Sequence, residues 1–279
     1  MENQNEISAV VDSSEAISTS SGRIATTFHS VIATYTWNDS LAVIKRFNHR
    51  DNPRTFQRWR DETNALNLAG THESLARILT SDPQDLTITL RHEPGRSLDL
   101  CVDSNNNSTL SSSDSHAIWM QMADALAFVH SKCIIHDDVK PDNIIFSPVP
   151  QPRAVLIDFG AALVNPSTLP LDGWTPSGTP PYAPPEFFQK RKGYAGDVWG
   201  LGVTMLFCFG YTSLPAGDWI LPHVFDDEDV KSEMVAWLGE VDKSRKTILG
   251  GICQLLVEML DPDPVVRIKS HELSERLRA

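Results

Sequence analysis

Hydrophobic and polar positions change their period several times along this chain of 279 residues. Between residues 23 and 47, β-branched and aromatic side chains crowd together, as in Thr26-Thr27-Phe28, Val31-Ile32-Ala33-Thr34-Tyr35-Thr36-Trp37 and Leu41-Ala42-Val43-Ile44-Lys45. Such residues suit a pleated, half-buried surface, and Asn38-Asp39 marks a turn, so three consecutive antiparallel strands are predicted. Over residues 53–68 the period becomes helical. Pro53 suits a first turn, Phe56, Trp59, Thr63, Leu66 and Ala65 fall near one face, and Gly70 can end the helix. Residues 75–79 and 86–90 are two further strand candidates. Residues 103–115, rich in Asn and Ser, read as a surface loop. A second amphipathic helix is predicted over 115–132, where Ile118, Met122, Leu126 and Val129 recur at the helical period. Ile144-Ile145-Phe146 and Ala154-Val155-Leu156-Ile157, separated by a Pro-containing turn, read as a short hairpin. The chain is then irregular and rich in Pro and Thr as far as Glu186. A run starting at Asp197 is apolar on all sides to Phe209, which is the pattern of a helix buried in a core. A short helix closes the chain over 270–278. Residues 1–20 carry Ser, Glu and Asn and few large apolar groups, and read as a mobile arm.

A hydrophobic content of 41% and a charged content of 22% are ordinary for a globular protein, so a chain of this length can bury a large core. The formal net charge of −12 argues against non-specific nucleic-acid binding, which needs a positive field. It suits a basic protein substrate, although solubility alone also accounts for it. The four cysteines are widely spaced without a C-x-x-C pair, and three sit among apolar residues, so buried reduced thiols are expected rather than disulfides or a zinc site. The N-terminus lacks a charged-then-apolar leader pattern and the apolar run 203–210 is too short to cross a bilayer. A cytoplasmic or nuclear location and no membrane partner are therefore expected.

The chemistry concentrates in His136-Asp137-Asp138-Val139-Lys140-Pro141-Asp142-Asn143. An acid, a lysine two residues on and an asparagine five residues on bring three groups into one loop. They are an acceptor for a hydroxyl proton, a cation for phosphate oxygens and a hard oxygen ligand for a metal, a set suited to phosphoryl transfer. The hairpin that follows ends in a second carboxylate, in Asp158-Phe159-Gly160.

These two motifs, in this order, resemble the catalytic loop and D-F-G motif of eukaryotic protein kinases. Gly178-Thr179-Pro180-Pro181-Tyr182-Ala183-Pro184-Pro185-Glu186 is similar to the end of that family's activation segment. Asp197-Val198-Trp199-Gly200-Leu201-Gly202 resembles the start of its central buried helix, and Asp261-Pro262-Asp263-Pro264-Val265-Val266-Arg267 its D-P-x-x-R region. The resemblance covers roughly residues 22–279. It implies an α+β, two-lobed fold: a small antiparallel β lobe with one helix, about 22–92, and a larger, mainly helical lobe, about 93–279, behind an arm of residues 1–21. It implies ATP and Mg²⁺ as cofactors, a protein as substrate, and serine/threonine specificity from Lys140 and the Gly178-Thr179-Pro180 run.

In that frame Asp138 takes or orients the hydroxyl proton and Lys140 neutralises the γ-phosphate. Asn143 and Asp158 hold the metal. Lys45 holds the α- and β-phosphates and pairs with Glu62, with Glu73, beyond Gly70, as the fallback. Val31, Val43, Leu90 and the backbone from Arg91 to Glu93 line the nucleotide slot, Leu90 as gatekeeper. Glu186 and Arg267 form a buried pair, and His136 has a structural place near Asp158. Four positions depart from the family pattern. Residues 24–31 contain no Gly where the phosphate loop belongs, and side chains there keep backbone N–H groups from close approach to phosphates. Asp137 stands where Arg is usual, a place at which kinases commonly hold a segment phosphate. Pro184 replaces Ala, and Val43 replaces the Ala that roofs the adenine. Two readings stay open: an active serine/threonine kinase, and a pseudokinase that serves as a binding or scaffold module.

Overall fold

A computed structural model describes residues 22–166, 174–217, 219–248 and 251–279. The expected arm over 1–21 lies outside these, as do Ser167 and Thr168. The first half of the fold is a five-stranded antiparallel sheet in the order β1-β2-β3-β5-β4. It comprises β1 (Arg23–Thr26), β2 (Ser30–Trp37), β3 (Ser40–Phe47), β4 (Ile78–Asp82) and β5 (Thr87–Arg91). The three predicted strands are present. Asn38 and Asp39 take φ of 48° and 59°, the left-handed geometry of a two-residue hairpin whose twist matches the strands, and this sets the register Trp37 opposite Ser40. Helix α1 (Pro53–Ala69) opens on Asn52, whose side chain accepts the Arg54 N–H, and ends at Gly70 with φ 72°. Its Trp59 Nε1 donates to the Thr87 carbonyl at 3.0 Å, which fixes α1 against β5.

The strand candidate at 75–79 is corrected to Ile78–Asp82. Leu75 and Ala76 are buried, but by another part of the fold: Leu75 bridges to Leu156, and the Ala76 N–H donates to the Leu156 carbonyl at 2.9 Å. The apolar run is spent on joining the sheet to the helical half. The other candidate lies one residue later than expected, at β5.

The helical half is built on α2 (Ser112–Ser131) and α3 (Tyr194–Cys208). α2 starts three residues before the predicted helix because the last serines of the polar tract cap it: Ser111 Oγ accepts the Asp114 N–H at 3.1 Å. Every residue of α3 from Asp197 to Cys208 is buried, as its all-apolar surface requires. β6 (Arg96–Ser97) precedes α2, and between the two helices lie β7 (Ile134–Ile135), β8 (Ile144–Ser147), β9 (Arg153–Leu156) and β10 (Leu163–Val164). β8 and β9 form the expected hairpin, with β6 on its outer edge. Two helices go beyond those predicted, α4 (Glu228–Thr247) and α5 (Gln254–Met259), whereas α6 (Ser270–Arg278) has the expected bounds. A Cβ on Gly200 would lie 2.7 Å from the Val139 carbonyl, so only glycine lets α3 support the loop between β7 and β8 this closely. All four cysteines are free; Cys101 and Cys208 are buried, Cys253 is half-buried, and Cys133 is exposed rather than buried.

Candidate active site

Two clusters of polar side chains are joined through the backbone, where the Ile157 N–H donates to the Asn143 carbonyl at 2.8 Å. The first is built from β3, α1 and the end of the β8–β9 hairpin. Lys45 Nζ donates to Glu62 Oε1 and Oε2 at 2.8 and 2.9 Å and to Asp158 Oδ1 at 2.8 Å. Glu62 is 2% exposed, and Gly70 ends α1 before the fallback Glu73, whose carbonyl accepts from Arg153 instead. Burial alone would lower the Lys45 pKa, but the Glu62 and Asp158 carboxylates outweigh it and hold the ammonium above its ordinary range. Burial pushes the Glu62 carboxyl up, and Lys45 opposes it. Burial also acts against the Asp158 charge, yet Lys45 and the Gly160 N–H outweigh it and hold this carboxyl below the usual range. The Asp158 side chain is still 42% accessible, so part of the carboxylate is open to solvent. Asp158 sits at φ 62° and Phe159 packs edge-on against the His136 ring at 5.0 Å. His136 Nε2 bonds the Ile157 carbonyl at 3.1 Å, which is a structural place.

The second cluster is the loop between β7 and β8. Asp197, buried in the first turn of α3, accepts the backbone N–H groups of His136 at 2.7 Å and Asp137 at 2.8 Å, and His130 Nε2 lies 2.9 Å from it. That pins the loop from below. Asn143 Nδ2 donates to the Asp138 carbonyl at 2.8 Å and to Asp138 Oδ2 at 3.0 Å, so its Oδ1 takes no part in these bonds. Lys140 Nζ stands 2.9 Å from Asp138 Oδ2 and donates to Thr179 Oγ1 at 2.5 Å, while Thr179 Oγ1 donates to Asp138 Oδ1 at 2.7 Å. Asp138, Lys140 and Thr179 thus close a three-membered ring of polar contacts across two segments.

The nucleotide-side residues divide by strand parity. Opposite residues in an antiparallel pair share a face, and the face alternates along each strand. Val43 is two residues from Lys45 and opposite Leu90, so Val43, Leu90 and Lys45 share one face. Val31 is corrected: it lies opposite Arg46 on the other face, and Ile32, opposite Lys45, takes the place expected of it. Arg91 uses its N–H on the Arg77 carbonyl at 2.9 Å. The Glu93 side chain, 4% exposed, is clasped by Arg91 Nε at 2.8 Å and Arg153 Nη1 at 2.7 Å, which anchors the connection between the halves. The turn between β1 and β2 is closed on itself: Thr27 N–H donates to the Ser30 carbonyl at 2.8 Å, and Thr27 Oγ1 accepts the N–H groups of His29 at 3.2 Å and Ser30 at 3.0 Å. Those amides are directed at Thr27. Among the described residues no group of three or more His, Cys, Asp or Glu is placed to hold a metal by itself.

Glu186 and Arg267 meet in a bidentate pair, Nη1 to Oε1 at 2.8 Å and Nη2 to Oε2 at 2.9 Å. Sequence reasoning assigns no role to Lys192, Arg153 or His130, and names Thr179 and Asp197 only as motif members. Asp197 carries a signal in its spacing to Trp199. Lys192, a cation in the polar run Gln189-Lys190-Arg191-Lys192, carries none.

The arrangement is that of a protein kinase fold. The protein kinase domain profile matches residues 23–276, and the chain belongs to that family. It is 27% identical over 251 residues to a serine/threonine-protein kinase of Schizosaccharomyces pombe, covering 84% of this chain and 64% of that protein. It is 28% identical over 180 residues to serine/threonine-protein kinase B of Synechocystis, covering 60% of this chain and 31% of that protein. It is 29% identical over 219 residues to the maternal embryonic leucine zipper kinase of Xenopus tropicalis, covering 73% and 30%. The chain therefore spans less than two thirds of the length of these relatives.

Proposed function

We propose that this chain is a serine/threonine protein kinase that transfers the γ-phosphoryl group of ATP to a hydroxyl of a protein substrate. The observation that carries the reading is the Asp138–Lys140–Thr179 ring beside the Lys45–Glu62–Asp158 cluster, the two being tied by the Ile157 N–H on the Asn143 carbonyl. Asp138, held by Asn143 and Thr179, accepts or orients the substrate hydroxyl proton as the new O–P bond forms and the bond to ADP breaks. Lys140 offsets charge on the transferred group, and Lys45, kept in place by Glu62, holds the phosphates behind it. The donor set fits Mg²⁺: Asn143 Oδ1 and the open face of Asp158 are hard oxygen ligands, too few for a cage made by protein alone and suited to an ion shared with phosphates. Asn143 and Asp158 would hold such an ion, which would supply charge neutralisation for the transferred phosphate. Residues 22–92 form the small lobe and 93–279 the large lobe in this reading, with Val43 and Leu90 lining the nucleotide slot between them. Among the described residues no helix is long and apolar enough to cross a membrane.

The closed turn at Thr27 favours a second reading, a pseudokinase that holds nucleotide weakly and transfers nothing, because the amides expected to cradle phosphates are already bonded. One experiment separates the two. Thermal shift with Mg-ATP is run beside phosphorylation of a basic protein such as a histone or myelin protein, with Asp138→Asn as control. Stabilisation together with transfer that Asp138→Asn removes supports the kinase. Stabilisation, or no shift, with no transfer to any protein tested supports the pseudokinase.

A further inference from the structure

Asp137 carries a charge opposite to the one its neighbours in the motif lead one to expect, yet it is not turned to water. Its side chain is 14% exposed, at φ 64°, and its Oδ2 lies 2.6 Å from Lys192 Nζ, itself 10% exposed. The Ser177 hydroxyl donates to the same carboxylate oxygen, and Lys192 Nζ donates to Ser177 Oγ. Three separate pieces of chain meet there. One is the catalytic loop. The second is the activation segment, two residues before Thr179. The third is the stretch leading into α3, since Lys192 directly precedes the Gly193 cap. The segment lies close on the loop: Gly178 takes φ 92°, and a Cβ there would be 3.0 Å from the Asp137 carbonyl. Among the described residues no other carboxylate pairs with Lys192, and no other cation pairs with Asp137.

We propose that Lys192 is a positioning residue for the transfer: through Asp137 and Ser177 it locks the activation segment onto the catalytic loop, so that Thr179 stays on Asp138 with no modification of the segment. The proposal rests on the kinase reading above and names its regulation. The physical case is the stiffness of the contact. A charge-assisted, nearly buried pair is costly to open, because either partner left behind is an uncompensated buried charge. The backbone on one side of the lock is itself fixed to Asp197, and on the other side begins α3, which is buried from Asp197 onward. Ser177 is therefore held between two rigid bodies, and Thr179 follows two residues on. Without Lys192 the Asp137 carboxylate has only Ser177 and would draw in water, and the segment would lose its anchor. Misplacement of a reacting constellation by about 1 Å lowers a rate by roughly 10²-fold.

The test uses the full chain made with a co-expressed phosphatase and shown by mass spectrometry to carry no phosphate on Thr175 or Ser177. Lys192→Met, Ser177→Ala and the charge exchange Asp137→Lys with Lys192→Asp are compared with the natural protein. Three readouts are taken: kcat, KM for ATP, and hydrogen exchange of the amides of residues 174–182. The unmodified natural protein should be active, and a many-fold gain on phosphorylating the segment would overturn the proposal. Lys192→Met should lower kcat roughly 10- to 100-fold with the ATP KM within about twofold, since Lys45 and Asp158 are untouched, and should speed exchange over 174–182. The exchanged pair should recover most of the lost kcat and protection, which a side chain serving only as packing would not allow. Unchanged kcat and exchange in Lys192→Met, or an exchanged pair as slow as the single change, overturns the lock. Ser177→Ala removes one leg with the least change of shape, and its kcat and exchange decide in the same way if Lys192→Met does not fold. Should the natural protein transfer nothing, the kinase reading has failed, and the exchange rates alone then decide for or against the lock.

Discussion

Removing Arg267 should cost this protein more than removing its partner Glu186, and the two losses should fall well short of additive. The guanidinium is fully buried and the carboxylate 4% exposed, and they meet by two parallel bonds of 2.8 and 2.9 Å. Arg267 also donates Nε to the Asp261 carbonyl at 2.8 Å and Nη1 to the Ala195 carbonyl at 2.7 Å, and lies 5.0 Å from the centre of the Trp199 ring. Taking away one partner of a buried pair costs about 3–5 kcal/mol, because the other charge is left behind. After Glu186→Ala the arginine keeps two carbonyls and an aromatic face, so a cost near 3 kcal/mol is expected. After Arg267→Ala the carboxylate has lost both donors and the carbonyls and ring have lost their cation, so about 5 kcal/mol is expected. The double change should cost little more than Arg267→Ala alone, leaving a coupling of roughly 2–3 kcal/mol. Urea unfolding followed by tryptophan fluorescence measures this as a shift of midpoint at constant slope. Folded domains hold only about 5–15 kcal/mol in total, so Arg267→Lys and Glu186→Gln provide a milder cycle if Arg267→Ala does not fold. Additivity within about 0.5 kcal/mol would refute the coupling, and a larger loss in Glu186→Ala than in Arg267→Ala would refute the role given to the carbonyls and Trp199.

Asp138→Asn keeps an acceptor for Thr179 but no base, so transfer should fall about 10²- to 10⁴-fold with the Mg-ATP thermal shift retained; a wild-type rate would remove Asp138 from the reaction. Lys45→Met should leave Glu62 buried without its cation, which raises its folded pKa further above the unfolded value. The stability of that variant is then fully present below the unfolded carboxylate range and lost as pH rises through the raised folded value, so its melting temperature should fall further behind the natural protein as pH rises above the unfolded carboxylate range. A gap that stays constant over that rise would mean Glu62 is solvated once Lys45 is gone. Ser177→Asp sets a second carboxylate beside Asp137, a repulsion of roughly 3–4 kcal/mol at an effective dielectric of 20 before screening and the attraction of Lys192, and transfer should drop at least about tenfold. Undiminished transfer in that variant would show that the Asp137 oxygen tolerates a second charge beside it.

Where a feature depends on neighbours in the chain, pattern reading and the folded structure agree. The β2–β3 hairpin follows from its β-branched and aromatic residues and Asn38-Asp39, α1 from Pro53 and Gly70, and α6 has the bounds expected of it. Glu62 is preferred to Glu73 because a glycine boundary is local. The two part where a local pattern serves a distant end. Residues 75–79 look like a strand because Leu75 and Ala76 are apolar, but their burial comes from β9, about eighty residues away in the chain. Distance from Lys45 puts Val31 in the nucleotide slot, whereas a one-residue step in an antiparallel pair turns a side chain to the opposite face. α4 has only Met234 and Val241 fully buried, so much of its surface is polar and its apolar stripe is thin.

The sequence by itself pointed to a protein kinase domain, because Asp138, Lys140 and Asn143 and the Asp158-Phe159-Gly160 motif sit at short, fixed spacings along the chain. Two of the charge pairs, Lys45 with Glu62 and Glu186 with Arg267, were already implied by the resemblance; others were decided only by the tertiary structure. Lys45 also reaches Asp158 across 113 positions, and Lys192 reaches Asp137 across 55. Coulomb attraction has no sequence register. An acid at position 137 reads as a broken motif until the fold brings a lysine and a serine within hydrogen-bonding distance of it, and low solvent exposure then makes that contact hold.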